Sequence, residues 1–279
     1  MNLIDCHTHS TNSPDAESSP DAMLKRAAEL GLSAYALTDH CEVNRFFSYG
    51  HYSDHGDPEN TFDFGVTFEN SMRDNMRLKE QYKGKLNFIN GIELGQAQYD
   101  FSLAAEIASD CRLDFVIGSI HQVRGAEDFA FIDHSKNDPA ELIRRYYSEI
   151  YELCEKGDFD ILGHLTYPLR YIEGDFGIKV DMKAADEIIR ESLRVLVRRG
   201  KGIEINTSGL RQRYGKTFPD LYYVRMFREE GGEFISIGSD AHCTDDLGKG
   251  IADGISIAQA AGFDRLTYFI GRRPQFIDI

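Results

Sequence analysis

The sequence predicts an α/β fold in which seven strand–helix units close, or nearly close, into a TIM-like barrel. Three observations carry this. Apolar, β-branched runs recur at residues 3–7, 34–38, 87–93, 115–121, 161–164, 202–206 and 234–239. Longer stretches with helical apolar spacing lie between them. No low-complexity segment or long linker divides the 279 residues. Strands alternating with helices at this spacing imply βα units and a parallel sheet. Seven of them in one uninterrupted chain favour a barrel over a doubly wound sheet, and a single domain over 1–279.

The first strand ends in Asp5-Cys6-His7-Thr8-His9. Ser18-Ser19-Pro20-Asp21 then opens a helix over 22–30, with Pro in its first turn and Gly31 as its stop. The second strand ends in Thr38-Asp39-His40 and is followed by an irregular insert at about 42–64 that carries Phe46, Phe47, Tyr49, Tyr52 and Phe62. As a βα loop on the C-terminal face of a barrel, this insert is placed to act as a lid or substrate wall, the alternative being a packing flap. Helical spacing resumes at 68–82; the third strand ends in Gly91-Ile92-Glu93 and the fourth in Gly118-Ser119-Ile120-His121. A helix over 140–156 leads to the fifth strand, which ends in Gly163-His164. Helices over 182–199 and 221–230 flank the sixth strand, and the seventh ends in Ser239-Asp240-Ala241-His242. Residues 266–279 are expected to add an irregular closing segment.

Hydrophobic residues at 42% and aromatics at 11% supply a sizeable core and exclude a disordered chain. The charge is unbalanced: 31 basic against 46 acidic residues give −15, which argues against a polynucleotide partner. No signal peptide fits before Asp5, and no apolar run approaches the roughly 18 residues of a membrane span. The five cysteines (Cys6, Cys41, Cys111, Cys154 and Cys243) are odd in number and form no C-x-x-C. They are expected to be buried and inert rather than a disulfide framework. Together these features predict a soluble, cytoplasmic protein that does not bind a membrane.

Six of the seven strands end on His, Glu or Asp. Residues i and i+2 of a strand point the same way, so His7 and His9 enter one space. Barrel topology brings all the strand C-termini to one face, where this fold places its active sites. Imidazole and carboxylate donors suit Zn, Mn or Fe, and a site this rich has room for more than one ion. His51 and His55, in the insert, are expected to be exposed loop residues, and His134 structural or surface.

These motifs together resemble the PHP (polymerase and histidinol phosphatase) family. The matching pieces are Asp5-Cys6-His7-Thr8-His9 with Asp15 following, Thr38-Asp39-His40, Gly91-Ile92-Glu93, His121, Gly163-His164 and Ser239-Asp240-Ala241-His242. The resemblance implies a distorted (β/α)7 barrel holding three divalent ions (Zn, Mn or Fe). By position, His7, His9, Glu93 and Asp240 hold the first ion. Glu93 bridges to a second that is also bound by His121 and His164, and Asp15, His40 and His242 hold the third. The family often carries Asp two residues after the fifth-strand His; here that residue is Thr166. The implied nucleophile is a metal-bound hydroxide, with no side-chain base assigned, because metal binding lowers the pKa of water toward about 7.

The stretches Glu204-Ile205-Asn206-Thr207-Ser208-Gly209-Leu210-Arg211 and Gly163-His164-Leu165-Thr166-Tyr167-Pro168-Leu169-Arg170 look like the histidinol-phosphate phosphatase branch. Each places an Arg shortly after a strand end, and a guanidinium grips a phosphate monoester bidentately. Arg211 and Arg170 are therefore assigned to the substrate phosphate. The expected activity is hydrolysis of L-histidinol phosphate in histidine biosynthesis. The alternatives are another phosphoesterase of the family (a nuclease, or a nucleotide or tyrosine phosphatase) and a non-catalytic metal-binding regulatory module. The proton donor to the leaving group is left open among Asp39, His51 and a metal-bound water.

Overall fold

Near-continuous apolar runs are what strands need when helices cover a parallel sheet on its outer face and its interior is packed. The computed structural model, which describes residues 3–47 and 63–279, shows these runs as β1 (Ile4–Asp5), β2 (Ala34–Leu37), β3 (His40–Glu42), β4 (Asn87–Gly95), β5 (Phe115–Ser119), β6 (Ile161–Leu162), β7 (Gly202–Asn206) and β8 (Ile235–Gly238). Every residue of β2, β5, β7 and β8 is buried. The helices between them are α1 (Pro20–Glu29), α2 (Phe64–Gln81), α3 (Phe101–Ala108), α4 (Pro139–Lys156), α5 (Asp186–Arg198), α6 (Leu221–Glu229) and α7 (Ile251–Ala260).

Local chemistry sets where the helices start. Ser19 accepts a hydrogen bond from Ala22 N ahead of Pro20, and Asp138 does the same for Ala140 N ahead of Pro139. Both satisfy an otherwise unpaired amide of the first turn, and Pro costs nothing there because its missing N–H has no partner to lose. Asp63, Asp100 and Asp220 cap α2, α3 and α6 in the same way. One face of each helix then closes on the sheet; α4, for example, buries Leu142, Ile143, Tyr146, Tyr147, Ile150 and Leu153.

All pairings in the barrel are parallel, in the order β1-β2-β4-β5-β6-β7-β8. β3 pairs with β4 beyond the end of β2, with His40 opposite Glu93. β2 and β3 thus occupy one barrel position, interrupted at Thr38-Asp39, and the barrel has seven positions. Backbone bonds close the ring between its first and last strands: Cys6 N donates to Ile237 O (2.9 Å), Asp240 N to His7 O (2.7 Å) and His9 N to Ala241 O (2.9 Å).

Four expectations change. Residues 266–279 are not irregular: β9 (Arg265–Ile270) and β10 (Arg273–Asp278) form an antiparallel hairpin. The hairpin covers the N-terminal end of the barrel, where Arg272 N donates to Asp114 O (2.8 Å) and the Arg272 guanidinium pairs with Asp160 (2.6 Å). α3 and α7 have no counterpart in the sequence reading, because α3 is short and largely apolar and α7 carries Gly254 and three isoleucines. The stretch 182–199 begins as a 3-10 turn (Met182–Ala185) before α5. Cys111 is exposed and Cys243 half-buried, while Cys6, Cys41 and Cys154 are buried; all five are free thiols. The expected lid falls mostly on residues outside those described, including Tyr49, His51, Tyr52, His55 and Phe62. No helix among the described residues is long and apolar enough to cross a membrane.

Candidate metal centre

Strand register delivers the nine sequence-predicted donors to one end of the barrel. His7 and His9 follow β1, His40 opens β3, Glu93 lies within β4, His121 and His164 follow β5 and β6, and Asp240 and His242 follow β8. Asp15 comes from the loop after β1. Glu93 is at the centre: its Oε1 is 2.7 Å from His164 Nε2 and 3.1 Å from His121 Nε2. Its Oε2 is 2.8 Å from His40 Nδ1, 3.3 Å from His7 Nε2 and 3.6 Å from His9 Nε2. Asp240 Oδ1 faces His9 Nε2 at 3.3 Å and His7 Nε2 at 3.8 Å. Asp15 Oδ2 stands 3.3 Å from His242 Nε2 and 3.6 Å from His40 Nε2. The cluster is graded in depth: His7, His9, Glu93, His121 and His164 are buried, His40, Asp240 and His242 are half-buried, and Asp15 is exposed at the rim.

The donor set fits divalent cations. His7 Nδ1 lies 2.8 Å from Glu204 Oε1, and His121 Nδ1 lies 2.9 Å from Glu42 Oε1. A carboxylate accepts only, so each Nδ1 carries a proton; with a cation in place, each Nε2 would turn its lone pair inward, which is the tautomer a metal ligand requires. Those inward nitrogens meet others: His7 Nε2 is 3.1 Å from His9 Nε2, and His121 Nε2 is 3.3 Å from His164 Nε2. Glu93 Oε2 and His40 Nδ1 are buried without a well-formed hydrogen bond. Such groups are costly to bury unless something else satisfies them. Three subsets (His7, His9 and Asp240; His9, His40 and His242; His40, Glu93 and His121) each converge closely enough to share one ion.

Electrostatics point the same way. Burial works against a charged His7, but Glu204, Glu93 and Asp240 outweigh it and raise its pKa well above the ordinary imidazole value. Burial by itself raises Glu93, yet His121, His7 and His40 hold it well below the usual carboxylate range. Burial, with His40 and His242 beside it, pushes His9 down to about 3, leaving a neutral ring. The pocket thus concentrates negative charge that its imidazoles neutralise only by protonation, and cations remove that need.

A cleft of about 690 Å³ opens above the cluster, and both predicted arginines line it. Arg211 follows the 3-10 turn Ser208–Leu210; its Nη2 donates to Asp240 O (3.4 Å) and its Nε lies 3.4 Å from Asp246. Its Nη1 is buried without a partner. Arg170 opens a π-helical turn (Arg170–Asp175) and stands over the Tyr171 ring at 5.3 Å. Asp39, a candidate proton donor, is not in the cleft. It accepts from Ser10 N (2.6 Å), Ser13 Oγ (3.0 Å) and Ser71 Oγ (2.8 Å) behind the strand ends, and so holds the His7–Asp15 loop. His134 is structural: its Nε2 lies 2.9 Å from Phe129 O in a buried stack.

Sequence reasoning gave no role to Glu204 or Glu42. Glu204 Oε2 also accepts from His164 N (2.9 Å), so one carboxylate braces ligands from two strands. The available signal was an ionisable residue between two isoleucines in a short strand, two residues from Asn206 and so on the same face. Two glycines make room: a Cβ at Gly238 would overlap His7 and Glu204, and one at Gly95 would overlap Glu42. Asp240 itself adopts φ +54°, a conformation that only tertiary context reveals.

A parallel barrel whose strand ends bring such a donor set and two guanidiniums to one cleft defines a metal-dependent hydrolase. The PHP domain pattern matches residues 5–208, and the chain belongs to that family. A Thermotoga maritima protein named "Probable histidinol-phosphatase" is 29% identical over 274 residues, covering 95% of each chain. The Lactococcus lactis histidinol-phosphatase is 27% identical, covering 98% of this chain and 96% of its own. A crystal structure of the L. lactis enzyme with Zn, L-histidinol and phosphate aligns over 98% of this chain and 99% of its own, with TM-score 0.80 and 25% identity.

Proposed function

We propose that this chain is a metal-dependent histidinol-phosphate phosphatase, converting L-histidinol phosphate and water to L-histidinol and phosphate. The observation that carries the reading is one cleft combining the His/Asp/Glu cluster with Arg170 and Arg211, in a chain whose relatives share that named activity over nearly their whole length. We read residues 1–279 as one PHP-type barrel domain and place it in the cytoplasm, consistent with a biosynthetic step on a small soluble monoester.

His7, His9, Glu93 and Asp240 would hold one ion, Glu93 with His121 and His164 a second, and Asp15, His40 and His242 a third. Zinc is the ion named in the L. lactis structure. When bound, such ions activate water and neutralise phosphoryl oxygens. The chain's own groups do the rest. Glu204 and Glu42 fix the tautomers of His7 and His121. Arg211, held at its Nε edge by Asp246, keeps Nη1 free to donate to a phosphate oxygen. Arg170, anchored over Tyr171, supplies a second cationic donor to the same cleft. The buried floor of the site excludes water from the imidazoles and strengthens every charge interaction there.

The test is a panel of phosphate monoesters assayed with Zn-, Mn- or Fe-loaded enzyme. L-histidinol phosphate should be turned over with a far higher kcat/KM than p-nitrophenyl phosphate; equal values would defeat the assignment.

A further inference from the structure

We propose that Asp128 receives the cationic part of the substrate, an organic ammonium or imidazolium group, and thereby sets the preference among phosphate monoesters. This rests on the reading of the cleft as a histidinol-phosphate site.

Six carboxylates line the cleft among the described residues. Asp15, Glu93 and Asp240 face the imidazoles of the metal cluster. Glu42 is engaged by His121 Nδ1. Asp246 pairs with Lys249 (2.9 Å) and Arg211 (3.4 Å). Asp128 remains. Among the described residues, no Lys, Arg or His nitrogen lies within 4.0 Å of its carboxylate. Its two hydrogen bonds, from Ala130 N (2.8 Å) and Tyr167 Oη (3.3 Å), both fall on Oδ1, so Oδ2 has no such partner. A largely desolvated carboxylate without a cation is costly unless a ligand supplies one. Burial accordingly pushes the Asp128 carboxyl above its ordinary value.

Position and surroundings fit the same occupant. The Tyr167 ring lies 5.1 Å from the His121 ring and 4.9 Å from the His164 ring. Asp128, bonded to the hydroxyl of that ring, therefore lies in the same cleft as the metal cluster, with one aromatic side chain linking the two. A small molecule with its phosphate at the cluster would bring a nearby cationic group to Oδ2. Tyr171, whose hydroxyl is 3.1 Å from that of Tyr167, and the exposed Phe131 ring also line the cleft. Aromatic faces beside a carboxylate are the usual surroundings of an organic cation.

Asp128→Asn is the informative change, because it retains an Oδ1 acceptor for Ala130 N and Tyr167 Oη and replaces only the unpartnered oxygen. The ratio of kcat/KM for L-histidinol phosphate to that for p-nitrophenyl phosphate, which has no cation, should fall by about tenfold, the scale of one lost charge-assisted contact. The Ki of L-histidinol as a product inhibitor should rise by a similar factor, while the Ki of inorganic phosphate stays put. Repeating the inhibition with 2-(imidazol-4-yl)ethanol distinguishes the two cations: its Ki moves if the imidazolium is the partner, and only that of L-histidinol moves if the ammonium is. If wild-type enzyme shows no preference for L-histidinol phosphate, the functional reading fails and this inference with it. If wild type shows the preference and Asp128→Asn keeps both it and the L-histidinol Ki, the assignment of Asp128 alone is overturned.

Discussion

Glu204→Gln changes one buried oxygen to a nitrogen and tests how the protein prepares its metal ligands. In the wild type, Oε1 accepts from His7 Nδ1 at 2.8 Å and Oε2 from His164 N at 2.9 Å. Glutamine has a single acceptor. The His164 backbone N–H cannot change its role, so the amide oxygen goes there and the amide NH2 faces His7. His7 must then accept at Nδ1 and carry its proton on Nε2, the atom that should bind metal. Removing a hydrogen-bond partner of a metal-bound histidine typically costs about 10- to 100-fold in metal affinity or activity. At ~1.4 kcal/mol per decade this is roughly 1.4–2.8 kcal/mol. The effect should be seen as earlier loss of one ion in a chelator titration followed by elemental analysis. Saturating metal should partly restore kcat/KM, and the circular dichroism spectrum should be unchanged. If Glu204→Gln holds all its metal against the chelator as tightly as wild type, the tautomer argument is wrong.

Three further outcomes are expected. Glu93→Gln removes the carboxylate on which four imidazoles close within 3.3 Å, so activity should drop by at least about 100-fold with a folded spectrum intact; near-normal turnover would remove Glu93 from the centre. Arg211→Ala should raise KM for L-histidinol phosphate by about 10-fold or more with a smaller effect on kcat, because the lost contact is made in ground and transition states alike; steady-state kinetics at saturating metal checks this. Phe115, buried and stacked on Phe269 at 5.4 Å, joins the hairpin to the barrel floor. Phe115→Ala should cost about 3–5 kcal/mol and lower the Tm by roughly 10 °C in a thermal melt.

Eight of the nine donors were legible because each stands at or near the end of an apolar run, and a barrel turns that one-dimensional position into convergence; Asp15, in the loop after β1, came only from the family resemblance. His7 and His9 needed only the two-residue period of a strand, and the remaining histidines only the shared face. Glu204 and Glu42 were not legible in the same way. Their roles depend on which imidazole lies across the sheet, and Glu42 reaches His121 from a strand 79 residues away in sequence. Asp39, one of three open candidates for the proton donor, could not be placed from sequence for a related reason: its neighbour His40 enters the site, but Asp39, in the break between β2 and β3, turns the other way, to Ser10, Ser13 and Ser71. The closing hairpin escaped because β10 is mostly exposed and shows no clean alternation. Asp128 escaped because it lies on a loop with no periodicity, and its significance appears only once the other described carboxylates of the cleft have been paired.

The most direct test of the account is a crystal structure of Zn-loaded enzyme with phosphate, with the ions located by anomalous scattering. Three peaks are predicted, each within about 2.0–2.2 Å of its ligand nitrogens and oxygens among the nine residues, with the phosphate bridging toward Arg170 and Arg211. Fewer than two ions at these residues, or a phosphate bound away from both arginines, would contradict it.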